Sequence, residues 1–581
     1  MLDRKGNPSP TGTQPGSSAV SCSRAPCRQS KPALRHRLKA FLAAAITLLL
    51  TTLLAYPGHA SNESAADIGK TIYLHGMLGN GKPLVAHRVD GMRTEGADAA
   101  CVKCHQRSGL GAKEGNKSIP PITARYLLRP RASQREDLDL PYVEGIRADR
   151  DPYTDATIAR AIREGLSSEG KPLDYLMPHF ELDDADMDAL IAYLKRLDQR
   201  KAPGVTDSVL HFATIITPDA DPVKRAGMLD VLEKFFASKN RYVRSPAPRV
   251  ASTRVMMFKV NRRWQLHVWQ LTGEPDTWQA QLNRHLAEEP VLAVISGLGG
   301  KTWAPVHDFC EQAALPCLFP NVEAPPADAD RDFYSLYFSK GVLLEAGLIA
   351  QNILNPGGGK MAKAVHQFYR AGDSGESGAE ALASALRHAG IQVKNHVLAD
   401  GAPGRGVDQA LRKATHADAL VLWLRPRDLA ALDGLPVPQA AVFMSGRLGG
   451  LEGTPLPASW RERTRMAYPF GLPEQRLVNV DFARGWFRIR QIPVVDLQVQ
   501  SDTYLACGLI SETLSHMADT FVREYLVERV QGMLEHRVIT GYYPRLSLAA
   551  GQRFASKGGY VAHFSEAPGV HLVADGNWLV P

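Results

Sequence analysis

The sequence predicts a multi-domain protein in which an exported leader precedes a small all-α domain and a larger, two-lobed α/β domain. Three observations carry this expectation. A basic and then apolar stretch ends near residue 60. A Cys-x-x-Cys-His run at 101–105 is followed by a helical apolar period ending at Leu197. Beyond about residue 207, strand-like and helix-like segments alternate in two successive series. The 581 residues are 44% hydrophobic and 22% charged, which excludes collagen-like, coiled-coil and disordered classes.

The leader explains the charge. The formal net charge is +8, but residues 1–60 hold eight basic side chains and one acid, Asp3, leaving 60 basic against 59 acidic residues in the body. Nucleic-acid binding needs a clustered basic footprint, so no nucleic-acid partner is expected. Arg35-His36-Arg37-Leu38-Lys39 runs into an apolar segment from Phe41 to Tyr56, and Gly58 and Ala60 fit the small-residue pattern of a signal-peptidase site. The apolar run is shorter than the roughly 20 residues a spanning helix needs. Residues 1–60 therefore read as a signal peptide or, alternatively, as an uncleaved anchor, the one case that would bring the protein to a membrane. Either way the body is expected in the periplasm. Cys22 and Cys27 fall in the leader. The body keeps Cys101, Cys104, Cys310, Cys317 and Cys507, an odd number that rules out a pure disulfide scaffold.

Residues 101–105 read Cys-Val-Lys-Cys-His. In this spacing two thiols can add to the two vinyl groups of haem while the adjacent imidazole falls over the iron. A redox dithiol would want a βαβ setting, and half a zinc site would need two further ligands nearby. No second Cys-x-x-Cys occurs, and Gly96-Ala97-Asp98 and Ser108-Gly109-Leu110-Gly111 are loop-like flanks. One covalent haem c is the expectation, bound by Cys101, Cys104 and His105. Met177, before Pro178, is the candidate sixth ligand, with His75, His87 and His179 as alternatives. An acidic stretch from Glu181 to Asp186 then starts a helix with apolar residues at Met187, Leu190, Ile191, Leu194 and Leu197. A thioether ligand raises the potential and closes the iron, favouring electron transfer over oxygen chemistry.

Residues from about 66 to 200 resemble a class I cytochrome c domain. The matching stretches are Gly69–Tyr73, the 101–105 motif, Pro120-Pro121-Ile122, and Met177-Pro178 with the helix holding Tyr193. The resemblance implies that the N- and C-terminal helices cross at Gly69, Tyr73 and Tyr193. It also implies that a carbonyl of Pro120 or Pro121 holds the His105 ring. The segment from Arg125 to Tyr153 is longer and more charged than a minimal domain of this kind needs. The haem-binding domain is expected over 61–203.

Arg200-Lys201-Ala202-Pro203-Gly204 reads as a linker, and a second domain is expected over 207–581. Val209–Ile216, Gln265–Trp269 and Pro290–Ile295 are extended in character, with helices at Ala226–Phe236 and Trp278–Ala287. A second series runs through Met361–Tyr369, Ala379–Ala389, Ala417–Leu424 and Gln439–Met444. Such alternation predicts parallel sheets covered on both faces, in two lobes with a cleft between them. The turn Ser296–Thr302 contains Gly300-Lys301-Thr302 but is no P-loop, because the required earlier glycine falls at Ile295. It fails the dinucleotide pattern as well, with Thr302 at the third glycine position.

Over roughly 207–540 this half resembles the type I periplasmic binding proteins, in particular the branched-chain amino acid and amide receptors. The stretches that carry it are Pro290–Gly300, Phe309–Pro320 and Ala441–Gly446. The resemblance implies a small polar ligand held between lobes. By position, the first lobe would offer Ser296, Gly297, Trp303 and Asn321. The second would offer Asp373, Ser374, Trp423 and Ser445. Cys310 and Cys317 are expected to form a disulfide unless helix geometry separates them, and Cys507 is expected to be a buried free thiol. The stretch from Tyr543 to Val561 is expected to cap the receptor. His307 and His366 are the nearest histidines to the candidate serines, and neither is placed by sequence to activate one.

The expected function is electron transfer by a periplasmic c-type cytochrome fused to a small-ligand receptor. Its partner would be a redox protein of a dehydrogenase or oxidase chain. It is expected to be a carrier and binding protein, not an enzyme. The alternatives are a haem-containing dehydrogenase subunit and a receptor whose haem is structural.

Overall fold

A computed structural model describes residues 65–114, 117–129, 150–197, 202–243, 262–356, 361–399, 404–414, 416–517, 520–549, 551–565 and 571–581. The leader with its cysteines, the middle of the charged insertion and Arg200-Lys201 lie outside the described residues. Among the described residues no helix is long and apolar enough to cross a membrane.

In the small domain, the helices Ala65–His75 and Asp184–Arg196 pack across each other. The crossing is close because Gly69 has no side chain: an added Cβ would lie 2.0 Å from the Ala189 carbonyl oxygen. Tyr73 and Tyr193 pack beside it, their rings tilted and their centroids 5.3 Å apart. Asp183 starts the second helix by accepting from the Asp186 N–H at 2.8 Å, with Asp184 in the positive first turn. A third helix, Asp155–Glu164, opens on a Thr154 capping box and stops at Gly165, whose φ is +67°.

To the helices expected here the small domain adds a sheet of three short strands. Val85–His87 pairs antiparallel with both Arg93–Glu95 and His179–Glu181. Pro178 disfavours helix just before the strand His179–Glu181. The His87 Nε2 to Glu181 Oε1 contact of 2.6 Å then ties the two outer ends together.

The large domain has two sheets. The first orders its strands Phe554–Ser556, Ser335–Ser339, Cys317–Leu318, Ala293–Ile295, Val209–Ile216 and Arg263–Gln270, all parallel. The second runs Gln392–Leu398, Ala364–Arg370, Ala419–Trp423, Ala441–Ser445 and Thr464–Tyr468 in parallel, with Tyr560–Ser565 and His571–Ala574 added antiparallel. The chain passes from the first sheet to the second after Ser339, returns after Tyr468, and crosses again after Ser556. The segment expected to cap the receptor is thus woven into both lobes. Strands such as Ala419–Trp423 are buried at every position, as parallel strands covered on both faces must be. A Cys310–Cys317 disulfide joins the helix Ala304–Gln312 to the next strand, with Cα atoms 6.1 Å apart, and Cys507 is a buried free thiol.

The small domain is docked, not tethered. Gly204 lies against the backbone of Val291 and Leu292 so closely that a Cβ would sit 2.4 Å from both. Leu110 and Tyr126 are buried within the same apolar cluster as first-lobe residues. Arg107 lies over the Phe333 ring at 4.5 Å. Ser108, on the loop after the Cys-x-x-Cys-His motif, donates its N–H at 3.1 Å and its hydroxyl at 2.5 Å to Glu528 on the helix Arg523–Leu534.

Burial pushes the Glu528 carboxyl up to about 8, although the Ser108 hydrogen bonds oppose the shift. Burial likewise raises Glu345 and Asp502 to about 7. Between about pH 4.5 and 8 the native state keeps the Glu528 proton that the unfolded chain has already lost. Stability must therefore fall as pH rises through that window. Thermal unfolding of the wild-type protein should show that fall, and Glu528→Gln should flatten its alkaline end. An unchanged slope in the variant would show that Glu528 is not the group responsible.

Candidate functional site

The motif forms one short helix, Val102–His105, with His105 N–H bonded to the Cys101 carbonyl at 2.9 Å. Gln106, at φ 63°, ends it, and the Tyr73 hydroxyl donates to the Gln106 carbonyl at 2.6 Å. These contacts fix Cys101, Cys104 and His105 on one wall of a cavity of about 440 Å³. Met177 lines the same cavity, together with apolar side chains such as Ile122, Ile162 and Leu194. His105 is buried, and its Nδ1 lies 3.1 Å from the Pro120 carbonyl oxygen. Burial lowers the imidazole to about 4, against the opposing effect of that hydrogen bond, so the ring is neutral near pH 7. With Nδ1–H donated to Pro120, Nε2 keeps its lone pair for a metal.

Of the sixth-ligand candidates only Met177 lines the cavity. His87 is held by Glu181 and pairs in register with His179, while the His179 ring packs against Gly165. His75 closes the helix Ala65–His75 and does not line the cavity.

Residues 95–198 match the family model described as Cytochrome c. That family carries covalently bound haem c, and the match spans the motif, Pro120 and Met177. The residues present fit such a group. Two thiols, a neutral imidazole and a thioether form its donor set, and the remaining wall is largely apolar. Arg129 Nη1 and Arg88 Nε are buried polar atoms without a partner among the described residues, and both residues line the cavity. Haem c brings two carboxylates that would satisfy such donors. No curated protein matches the sequence.

The second candidate site lies where the strands of the two lobes end. Ser296, at φ 57°, and Gly297, at φ 131°, make a tight turn after Ala293–Ile295. Asn321 donates from Nδ2 to the Ser296 hydroxyl at 2.9 Å, and Thr503 Oγ1 lies 3.2 Å from the same oxygen. Two residues beyond Asn321, Glu323 accepts from Arg425 of the second lobe at 2.6 Å and from Lys224 at 3.2 Å. Arg425 also pairs with Asp373 at 2.5 Å. Burial opposes its ionisation, yet the Arg425 and Lys224 charges hold Glu323 well below the usual carboxylate range. The lobes are thus bridged across the cleft by alternating charge.

The structure brings Ser296, Gly297 and Asn321 together and draws Asp373 to them through Arg425. Asp373 also caps the helix Ser374–His388, which begins with the buried Ser374. Ser445 instead donates to the buried Glu345 and caps its own short helix. The expectation for the two tryptophans is corrected. Trp303, 2% exposed, fills the space beneath Gly297 and Gly299, while Trp423, 1% exposed, lies beneath Gly375 and Gly378. Both rings are lobe core, and Trp423 spends its N–H on Gln367 at 2.9 Å. His307 is engaged by Tyr337 and Asp332, and His366 by His396.

The sequence reading missed Lys224, Glu323, Arg425 and Thr503. Glu323 and Arg425 each follow the carboxyl end of a parallel strand, a signal open to any charged residue so placed.

Solved structures resembling this chain are solute-binding proteins. A fatty acid ABC transporter substrate-binding protein from Thermomonospora curvata is 15% identical at TM-score 0.47, covering 66% of this chain and 95% of its own. A branched-chain amino acid ABC transporter protein from Thermus thermophilus, solved with bound valine, is 11% identical at TM-score 0.47, covering 65% and 97%. A leucine-binding protein from Thermotoga maritima is 13% identical at TM-score 0.44, covering 63% and 98%. The two-lobed α/β fold rests on the strand orders above.

Proposed function

We propose that this chain is an exported electron carrier with a single haem, fused to a receptor-like domain that binds a small polar ligand. The observation that carries it is the cavity bringing Cys101, Cys104, His105 and Met177 to one space. When bound, haem c supplies a one-electron ferric/ferrous couple. The chain's own residues do the rest. Cys101 and Cys104 would hold the group covalently, His105 would ligate its iron through Nε2 with Pro120 orienting the ring, and Met177 would supply a further ligand. The boundaries that follow are a leader to residue 60, a haem domain over 61–203 and a receptor domain over 207–581. The redox partner would be a periplasmic protein of a dehydrogenase or oxidase chain.

In the cleft, Ser296 and Asn321 present small polar groups, and Arg425 offers a cation already balanced by Glu323 and Asp373. An anionic or zwitterionic small molecule would exchange with one carboxylate on Arg425. Polar groups carry this binding proposal, since Trp303 and Trp423 are withdrawn into the cores.

Two measurements test it on the full-length holoprotein. Haem content should be one per chain, retained after acidic acetone extraction; release of the haem would sink the assignment. Free amino acids and their amides, screened by thermal shift, should include one that stabilises by about 2.7 kcal/mol at a hundredfold excess over its Kd. It should be recovered unchanged. Recovery of a converted product would favour the dehydrogenase reading.

A further inference from the structure

The helix Pro473–Arg490 buries Arg476, Val480, Ala483 and Phe487. Its outward face carries Val478, Phe482, Gly485 and Ile489, spaced by four, three and four residues as in a helix-pairing seam. Val478 is 70% exposed, Phe482 58% and Ile489 74%. Val494 and Val495, just beyond the helix, continue the exposed apolar surface. A Cβ added at Gly485 would meet nothing within 4 Å, so another backbone can approach there. An apolar face of this kind marks an interaction site.

The flanking charges say what fits it. Along one edge of the seam stand Glu474, Asp481 and Arg488, acidic towards the helix start and basic towards its end. Asp481 makes a 3.4 Å contact with Arg484, both side chains being exposed. In a parallel twofold copy this edge would face the partner's opposite edge and leave its charges unpaired. An antiparallel copy sets Asp481 beside Arg488 twice, by symmetry. The mixed signs also argue against an anionic lipid surface, because Glu474 and Asp481 share that edge.

We propose that this face pairs with the same face of a second copy of the chain in an antiparallel, twofold-symmetric contact. Phe482 of each copy sits over Gly485 of the other, Val478 meets Ile489, and Asp481 meets Arg488. The small residue opposite the aromatic one lets the helices close to side-chain contact distance.

Sedimentation velocity of the full-length holoprotein across the micromolar range tests this. The wild type should dimerise reversibly. Phe482→Asp should raise the dissociation constant by at least about 100-fold while leaving haem absorbance and far-UV circular dichroism unchanged. Asp481→Arg and Arg488→Asp should each weaken self-association by about tenfold. An equimolar mixture of those two should recover dimers, because it restores opposite charges at both contacts. That rescue needs no apolar substitution and decides the matter should Phe482→Asp misfold. A wild type that stays monomeric throughout overturns the proposal, as does a dimer that all three substitutions leave intact. Binding of a monomeric wild type to phosphatidylglycerol vesicles would likewise overturn it and assign the face to a membrane.

Discussion

Replacing Cys104 with alanine should cost the protein most of its covalent haem. Cys101 and Cys104 sit three residues apart on one helical turn, on the wall of the same cavity as His105. Loss of one thiol leaves a single thioether at most, and the second attachment cannot be supplied elsewhere. The other body cysteines are the bonded Cys310 and Cys317 and the buried Cys507, all in the large domain. The yield of holoprotein should fall by about an order of magnitude or more, since covalent closure both retains the group and stabilises the domain built around it. The measurement is haem-stained gel intensity per unit protein, compared with wild type from the same export host. Wild-type intensity in Cys104→Ala would show that the attachment lies elsewhere.

Met177→Ala should keep the haem but change its coordination. Among the residues weighed as sixth ligand only Met177 lines the cavity, while His87 is committed to Glu181 and His179 packs on Gly165. Removing the thioether should abolish the methionine charge-transfer band of the ferric protein. It should also lower the reduction potential by on the order of 0.1 V, well inside the roughly 0.8 V that axial ligands span. Because Met177 is partly exposed on a loop, the change should leave the fold intact, checked by circular dichroism. Wild-type spectra would move the ligand to another side chain.

What was legible in the sequence follows how local each feature is. Covalent attachment needs two thiols and an imidazole within five residues, so 101–105 could be read directly. The helix crossing at Gly69, Tyr73 and Tyr193 was legible only through the resemblance to class I cytochrome c domains. Pro120 and Pro121 could not be separated, since their order along the chain does not say which carbonyl faces His105; the 3.1 Å contact does. The short strands at 85–95 and 179–181 escaped because three-residue strands carry no period. The tryptophans were misplaced because an aromatic at a strand end reads alike whether it faces a cleft or a core. Gly375 and Gly378 packed over Trp423, and Gly297 and Gly299 packed over Trp303, show which. Arg425 and Glu323 meet across 102 positions, and Ser108 and Glu528 across 420. No local pattern announces such pairs. The docking of the motif's own loop onto Arg523–Leu534 rests on one such pair.

Under the proposed function, His105 and Met177 hold a low-spin iron that exchanges single electrons. Spectroelectrochemical titration of the purified full-length protein tests it most directly. A reversible one-electron Nernst curve is expected, with a six-coordinate spectrum in both oxidation states and no spectral change under carbon monoxide. A ferrous form that binds carbon monoxide at once, or a haem that cannot be cycled, would contradict it.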